Sequence, residues 1–144
     1  MSRLPYPDYH TPHAKSHPTL NITKLLSHSA TIVDHWTALG NVQFKDLFLA
    51  DREGELVIML TTANFQSTYE WTHHVLVALK AGVTRAQHPE AWFSPRDIVL
   101  LTFVETITQQ PEVGDELWER VRQEFSGREV VQIISLQVRL FRVR

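Results

Sequence analysis

The chain of 144 residues contains no cysteine. That absence excludes disulfides, thiolate metal sites, iron–sulfur clusters, a cysteine nucleophile and dithiol redox chemistry. Glycine is sparse, with 5 residues, and no stretch of 18 apolar residues suggests a membrane span. An excess of positive charge is also missing: 14 Lys+Arg stand against 16 Asp+Glu, a formal net charge of −2, so the balance gives no pull toward nucleic acid. Residues 1–20 carry no hydrophobic signal core, and the reading is a cytoplasmic protein with no membrane association. What is present is ordinary for a globular chain, with 43% hydrophobic and 21% charged residues, enough for one domain with a core.

Proline is unevenly placed. Pro5, Pro7, Pro12 and Pro18 are four of the 7 prolines, and they alternate with His10, His13 and His17 and with Tyr6 and Tyr9. Proline at that density prevents a helix, so residues 1–19 are expected to form an extended or disordered arm. Spaced histidines in such an arm read as solvated side chains rather than a metal site. The remainder, 20–144, reads as one helical domain.

From Asn21 the apolar spacing becomes helical. Ile22, Leu25, Leu26, Ile32, Val33 and Trp36 recur at three- and four-residue steps, with Gly40 expected to close the segment. Asp51 is positioned to cap a second helix running through Leu56, Ile58, Met59 and Leu60 to about Asn64. A third is expected from Ser67 to Gly82, where glycine supplies a left-handed stop. Thr84 and Gln87 have the form of a capping box ahead of a short helix. Ser94-Pro95 opens the next helix, with proline at its first position; this helix is expected to bury Ile98, Leu101, Val104 and Ile107 and to stop before Pro111. Asp115 is expected to cap a helix carrying Leu117, Trp118, Val121 and Phe125, with Gly127 ending it. Residues 128–144 are rich in β-branched side chains and partly alternate as a strand would. A lone strand among helices has no partner, so helix is the reading there. The fold class expected is all-α, with six or seven helices.

The densest set of ionisable groups near apolar residues spans Glu55 and then Ser67 to His74. On the third helix Ser67, Glu70 and His74 fall at i, i+3 and i+7 and share one stripe. Glu70 and His74, four apart, are close enough for a carboxylate to orient an imidazole. A short turn at Phe65-Gln66 makes the second and third helices antiparallel neighbours, which brings Glu55 within reach of that stripe. Two carboxylates and an imidazole facing one apolar hollow suit general acid–base work. The near-continuous apolar run Val75–Leu79 predicts a third helix buried almost all round. Tyr69 and Trp71 then read as volume-filling, and His73, turned about 100° from His74, as part of another wall or a contact. His28 and His35, on the expected first helix, are further candidates for lining the cavity. Glu70-Trp71-Thr72-His73 has the Glu-x-x-His spacing of di-iron bundles, but those need two such motifs; no metal and no cofactor are expected.

The stretches Arg-Glu-x-Glu-Leu-Val-Ile-Met-Leu at 52–60, Tyr-Glu-Trp-Thr-His-His at 69–74 and Ala-Leu-Lys-Ala-Gly-Val at 78–83 resemble the carboxymuconolactone decarboxylase family, which shares its fold with alkylhydroperoxidase D-like proteins. The resemblance covers roughly residues 20–140. It implies an alkylhydroperoxidase D-like orthogonal helical bundle, assembling as trimers or hexamers with pockets near subunit contacts. The peroxidase branch carries Cys-x-x-Cys-x-x-x-His with an upstream relay Glu; in this sequence those positions are Ser67, Glu70, His74 and Glu55. With both sulfurs replaced the thiol cycle cannot run, and the decarboxylase-like branch is the closer model. The resemblance thus implies a cofactor-independent enzyme acting on a small carboxylated or carbonyl-bearing ring compound, by decarboxylation, isomerisation, lactone opening, dehydration or cyclisation. Glu55, Glu70 and His74 are the catalytic candidates. Ser67, Tyr69, Trp71, His73 and His28 are candidate substrate-binding positions. Aromatic residues beside the motif favour a bulky aromatic or polyketide-like substrate as much as a short acid. A non-catalytic helical oligomer holding an apolar ligand is the rival reading, since fold alone does not decide activity.

Overall fold

The computed structural model describes residues 5, 7, 21–84, 93–110 and 112–140. Among them the regular structure is entirely helical: α1 (Asn21–Leu26), α2 (Ala30–Lys45), α3 (Asp51–Asn64), α4 (Thr68–Lys80), α5 (Pro95–Gln109), α6 (Asp115–Glu124) and α7 (Gly127–Arg139). The chain divides into two compact units, one holding residues 1–46 with 144 and the other 47–143. Most of the expected arm, the continuation of the Thr84–Gln87 capping box and the last four residues lie outside the described residues.

In the first unit the helix expected to run unbroken from Asn21 to Gly40 is interrupted. Ser27 Oγ donates to the Lys24 carbonyl at 2.6 Å, and the Ser27 and His28 amides fold back onto Thr23 and Leu25. Serine competing for backbone groups in this way favours a turn. Gly40 does not close α2, which continues to Lys45. Gly40 is buried and is not among the residues with positive φ, so the left-handed geometry of a glycine stop is not adopted there.

The second unit is organised around α3, which packs on α4, α5 and α7, while α6 packs on α5. Its core joins Leu49, Leu56, Val57, Ile58, Val99, Leu100, Phe103, Val104, Val121, Phe125, Val130, Ile133 and Leu136. On α5 the buried stripe is Val99, Leu100, Phe103 and Val104, and Ile98 is 48% exposed. The inward stripe is therefore rotated from the expected one, in register with Asp97, which is itself buried beside its ion partner. The β-branched C-terminal stretch is helical through Arg139, as far as the described residues reach, because Val130, Ile133, Leu136 and Gln137 form a buried stripe at helical spacing.

The caps sit slightly off the expected positions. Asp51 and Asp115 are first helical residues, preceded by Ala50 and Gly114 as caps. Gly127 begins α7 rather than ending α6, because Phe125 closes α6 and the Ser126 side chain accepts the Glu129 amide. Gly82, at φ 91°, does end α4 as expected, with the Val83 amide returning to the Ala78 carbonyl at 2.9 Å. Between α3 and α4, Gln66 takes φ 53° and reverses the chain within three residues.

Three helix N-termini are joined by one ionic cluster. Glu53, Asp97 and Glu129 occupy the third positions of α3, α5 and α7, and each accepts the amide of its own cap residue, at 3.4, 2.8 and 2.7 Å. Arg96 then bridges two of them, donating to Glu53 at 2.6 Å and to Glu129 at 2.7 Å, with its guanidinium carbon 4.0 Å from the centre of the Phe125 ring. Arg52 donates to buried Asp97 at 2.7 Å. Burial works to raise the Asp97 and Glu129 carboxyls. Hydrogen bonds from Arg52 and Ser94 at Asp97, and from Ser126 and Arg96 at Glu129, outweigh it, so both are held below the ordinary carboxylate range.

Because these folded-state values are lowered, the cluster contributes stability above the unfolded carboxylate value of about 4 and loses it as pH falls through the lowered values. Thermal unfolding followed from neutral pH downward should show a midpoint that drops in that acid range, and Arg52→Met should flatten the drop. A second expectation concerns Thr61, fully buried on α3, whose Oγ1 has no hydrogen-bond partner among the described residues. Thr61→Val, which removes that unsatisfied hydroxyl at nearly constant shape, should stabilise the fold by about 1 kcal/mol in urea unfolding.

Candidate active site

α3 is buried along most of its length, and one of its inward residues is Glu55, only 6% exposed. A desolvated carboxylate needs a hydrogen-bonding partner. The three-residue reversal after Asn64 sends α4 back along α3, and α4 supplies that partner. His74, 9% exposed, places Nδ1 at 3.2 Å from Glu55 Oε2 and 3.4 Å from Oε1. With Glu55 ionised, Nδ1–H is the donor of that contact. The ring's other nitrogen, Nε2, is then directed toward Glu70, whose Oε2 lies 4.0 Å away. Glu70 is half-buried, so the set runs from an inner carboxylate through an imidazole to an outer carboxylate.

The three residues singled out as catalytic candidates are thus brought together. Their relation differs from the expected one, in which Glu70 oriented the imidazole. Glu55 makes the closer contact and fixes the ring, while Glu70 stands beyond hydrogen-bond distance on the more open side.

The other candidates are distributed differently. Ser67 is the half-buried cap residue of α4, at the start of the same stripe. Tyr69, at 37% exposure, and Trp71, at 43%, do not fill core volume, and exposed His73 packs its ring edge-to-face on Tyr69 with centroids 4.4 Å apart. The expectation that α4 is buried all round is overturned. His74 and Ala78 are its buried residues, while Leu76, Val77 and Leu79 are exposed, because α4 rests on α3 by a single face. His28 lies in the turn between α1 and α2 rather than on a helix, and its exposed Nε2 is 2.9 Å from the Pro5 carbonyl oxygen. His35 is exposed on α2.

One charged residue near this set was not anticipated. Arg139, in the last turn of α7, is half-buried; burial lowers its pKa from the ordinary arginine value, and the negative charge of Glu70 opposes that shift. No local spacing links Arg139 to the motif, and only the packing of α7 beside α3 carries it there. Among the described residues no group of three or more His, Cys, Asp or Glu is arranged to hold a metal ion. A separate open cleft of about 340 Å³ lies between the start of α5 and the end of α6, lined by Phe93, Pro95, Ile98, Val99, Arg120, Gln123 and Glu124, none of them a candidate named above. No described helix is long and apolar enough to cross a membrane.

No protein-family model matches the chain, and neither a curated protein nor a solved structure matches it significantly.

Removing one partner of a buried hydrogen-bonded pair strands the other. His74→Ala, which leaves the Glu55 carboxylate buried without its imidazole, should cost about 2–4 kcal/mol in urea unfolding at neutral pH. Glu55→Gln, which keeps the shape and removes the charge, should cost clearly less.

Proposed function

We propose that the chain is a cofactor-independent enzyme that transfers protons at the Glu55–His74–Glu70 set, acting on a small ring compound bearing a carboxylate or carbonyl. The observation that carries this reading is the buried contact of 3.2 Å between Glu55 and His74 Nδ1, which holds the imidazole with Nε2 turned to Glu70. An ionic pair in a core is often no more stable than an apolar pair of similar volume. A desolvated carboxylate and imidazole beside a second carboxylate therefore suit chemistry better than stability. The resemblance of residues 52–60, 69–74 and 78–83 to carboxymuconolactone decarboxylases supports the same reading and points to decarboxylation within it.

In this reading Glu55 orients His74 through Nδ1, and Nε2 is the atom that gives or takes the proton. Decarboxylation next to a carbonyl, or to its vinylogue, breaks the carbon–carboxylate bond and sends its electron pair into the carbonyl system. Carbon dioxide leaves and an enolate remains. Nε2–H of the imidazolium stabilises that enolate and then protonates its carbon; Glu70, on the more open side, takes a proton from solvent and passes it back to the ring. Isomerisation, lactone opening, dehydration and cyclisation would draw on the same imidazole and carboxylates to take a proton from one atom of the substrate and give one to another. Such assistance contributes about 100- to 10,000-fold in rate. Arg139 adds positive charge within electrostatic reach of Glu70, of the sign that would attract a substrate carboxylate. Assembly as trimers or hexamers belongs to the same family-based reading.

The test is turnover of carboxylated lactones and aromatic β-keto acids, followed by mass spectrometry for loss of carbon dioxide. Glu55→Gln and His74→Ala should each lower the rate by about 100-fold or more, with helical circular dichroism retained. Variants that assemble normally and turn over at the parent rate would refute the assignment, as would a pH–rate profile with no limb from a carboxylate or an imidazole.

A further inference from the structure

His74 divides the inward half of α4 into two flanks. At roughly 100° per residue, Glu70 stands about 40° to one side of it and Trp71 about 60° to the other, both one turn nearer the start of the helix. Side chains three and four apart on a helix are surface neighbours, and they lean toward its N-terminus. The imidazole follows that rule, since Nε2 is turned to Glu70, with Oε2 at 4.0 Å. The atom assigned to proton transfer therefore looks out over the turn that carries Glu70 and Trp71, and these two residues flank it. Tyr69, Thr72 and Leu76 lie on the far side of α4 and take no part.

Trp71 is out of character for its type. Tryptophan is well buried on average, and its indole N–H is usually paired when buried. Here the side chain belongs to a residue 43% exposed, and among the described residues its ring has no aromatic partner and its Nε1 no hydrogen bond. Trp118, at 37% exposure, at least tilts against Phe103 with centroids 6.4 Å apart. Leaving the Trp71 face open forfeits what its burial would contribute. A ligand at His74 Nε2 that lies on this face recovers it, and a flat ring does so best, because all its atoms reach contact distance while a puckered ring brings only some.

We infer that Trp71 is the wall on which the substrate's ring stacks, so that the ligand of the Glu55–His74–Glu70 set is a flat, conjugated ring bearing a carboxylate rather than a saturated one. This rests on the proposed role of His74 Nε2 as the atom facing the substrate. The delocalised enolate of the proposed reaction is itself flat, so the contact is kept as carbon dioxide leaves.

The probes are naphthoate and decahydronaphthoate, which share a carbon skeleton and a carboxylate and differ in flatness. Each is titrated into the isotope-labelled whole chain. The Trp71 indole and His74 ring signals are identified in nuclear magnetic resonance spectra by their loss in Trp71→Phe and His74→Gln. Naphthoate should move both signals along one binding curve, with decahydronaphthoate roughly tenfold weaker or more. Trp71→Leu keeps apolar bulk at an exposed position but removes the π face, and should weaken naphthoate binding about tenfold. Trp71→Phe should weaken it less than about threefold, with helical circular dichroism unchanged in both variants. The inference is overturned if the two acids bind equally, if Trp71→Leu binds naphthoate as the parent does, or if the Trp71 signal moves and that of His74 does not. No binding at millimolar naphthoate overturns it equally. None of these readouts needs turnover. Naphthoate bound at both residues of a protein that decarboxylates nothing would sustain the ring site and refute the catalytic reading alone.

Discussion

A carboxylate buried on the central helix is the constraint from which the second unit follows. Glu55 sits among Gly54, Leu56, Val57 and Ile58 on a helix covered by three others. Its desolvation has to be met by a donor, and the supplier is His74, 19 residues later on a helix that turns straight back. That contact sets the register of α4 on α3 and, with it, which α4 residues face inward. Shifting α4 by one residue would bury His73 or Val75 in place of His74 and strand the carboxylate. The pair therefore links fold and chemistry: the contact that relieves Glu55 also fixes the direction of Nε2.

Around this pair the other helices are located by charge at their ends as much as by the core. The third-position acids of α3, α5 and α7 each complete a cap and then accept an arginine from a neighbouring helix. A capping carboxylate is already oriented by its own backbone, so an arginine that finds it loses less freedom than in an isolated surface pair. Arg96 thus ties the starts of α3 and α7 to α5, and Arg52 returns the tie from α3 to α5. The result sets the rotation of α5. With Asp97 turned inward to Arg52, the stripe Val99, Leu100, Phe103 and Val104 is buried and Ile98 is left outside.

Local chemistry was legible where it acts within a few residues. Ser94-Pro95 opened α5, Gly82 closed α4, and the short Phe65-Gln66 turn made α3 and α4 a hairpin that placed Glu55 near His74. The errors came where a residue's role depends on something distant. Gly40 and Gly127 have the right type for helix ends, but one is buried within α2 and the other follows a serine that caps the next helix. The β-branched tail, by contrast, was read correctly as helix despite its strand propensity, because a lone strand among helices has no partner. Leu76, Val77 and Leu79 were read as core because an all-round apolar helix is buried only if neighbours surround it, and α4 has α3 on one face.

By itself the sequence determined the helical class, most helix limits, the exclusion of thiol chemistry, and the three ionisable residues that gather at α3 and α4. These follow from periodicity, capping and turn length, all of which are short-range. Tertiary structure alone decided which carboxylate touches the imidazole, that Arg139 comes within electrostatic reach of Glu70, and that Leu76, Val77 and Leu79 of α4 are exposed among the described residues. Each depends on the rotation of one helix against another, and that angle is set by side-chain packing between segments far apart in the chain rather than by any local pattern.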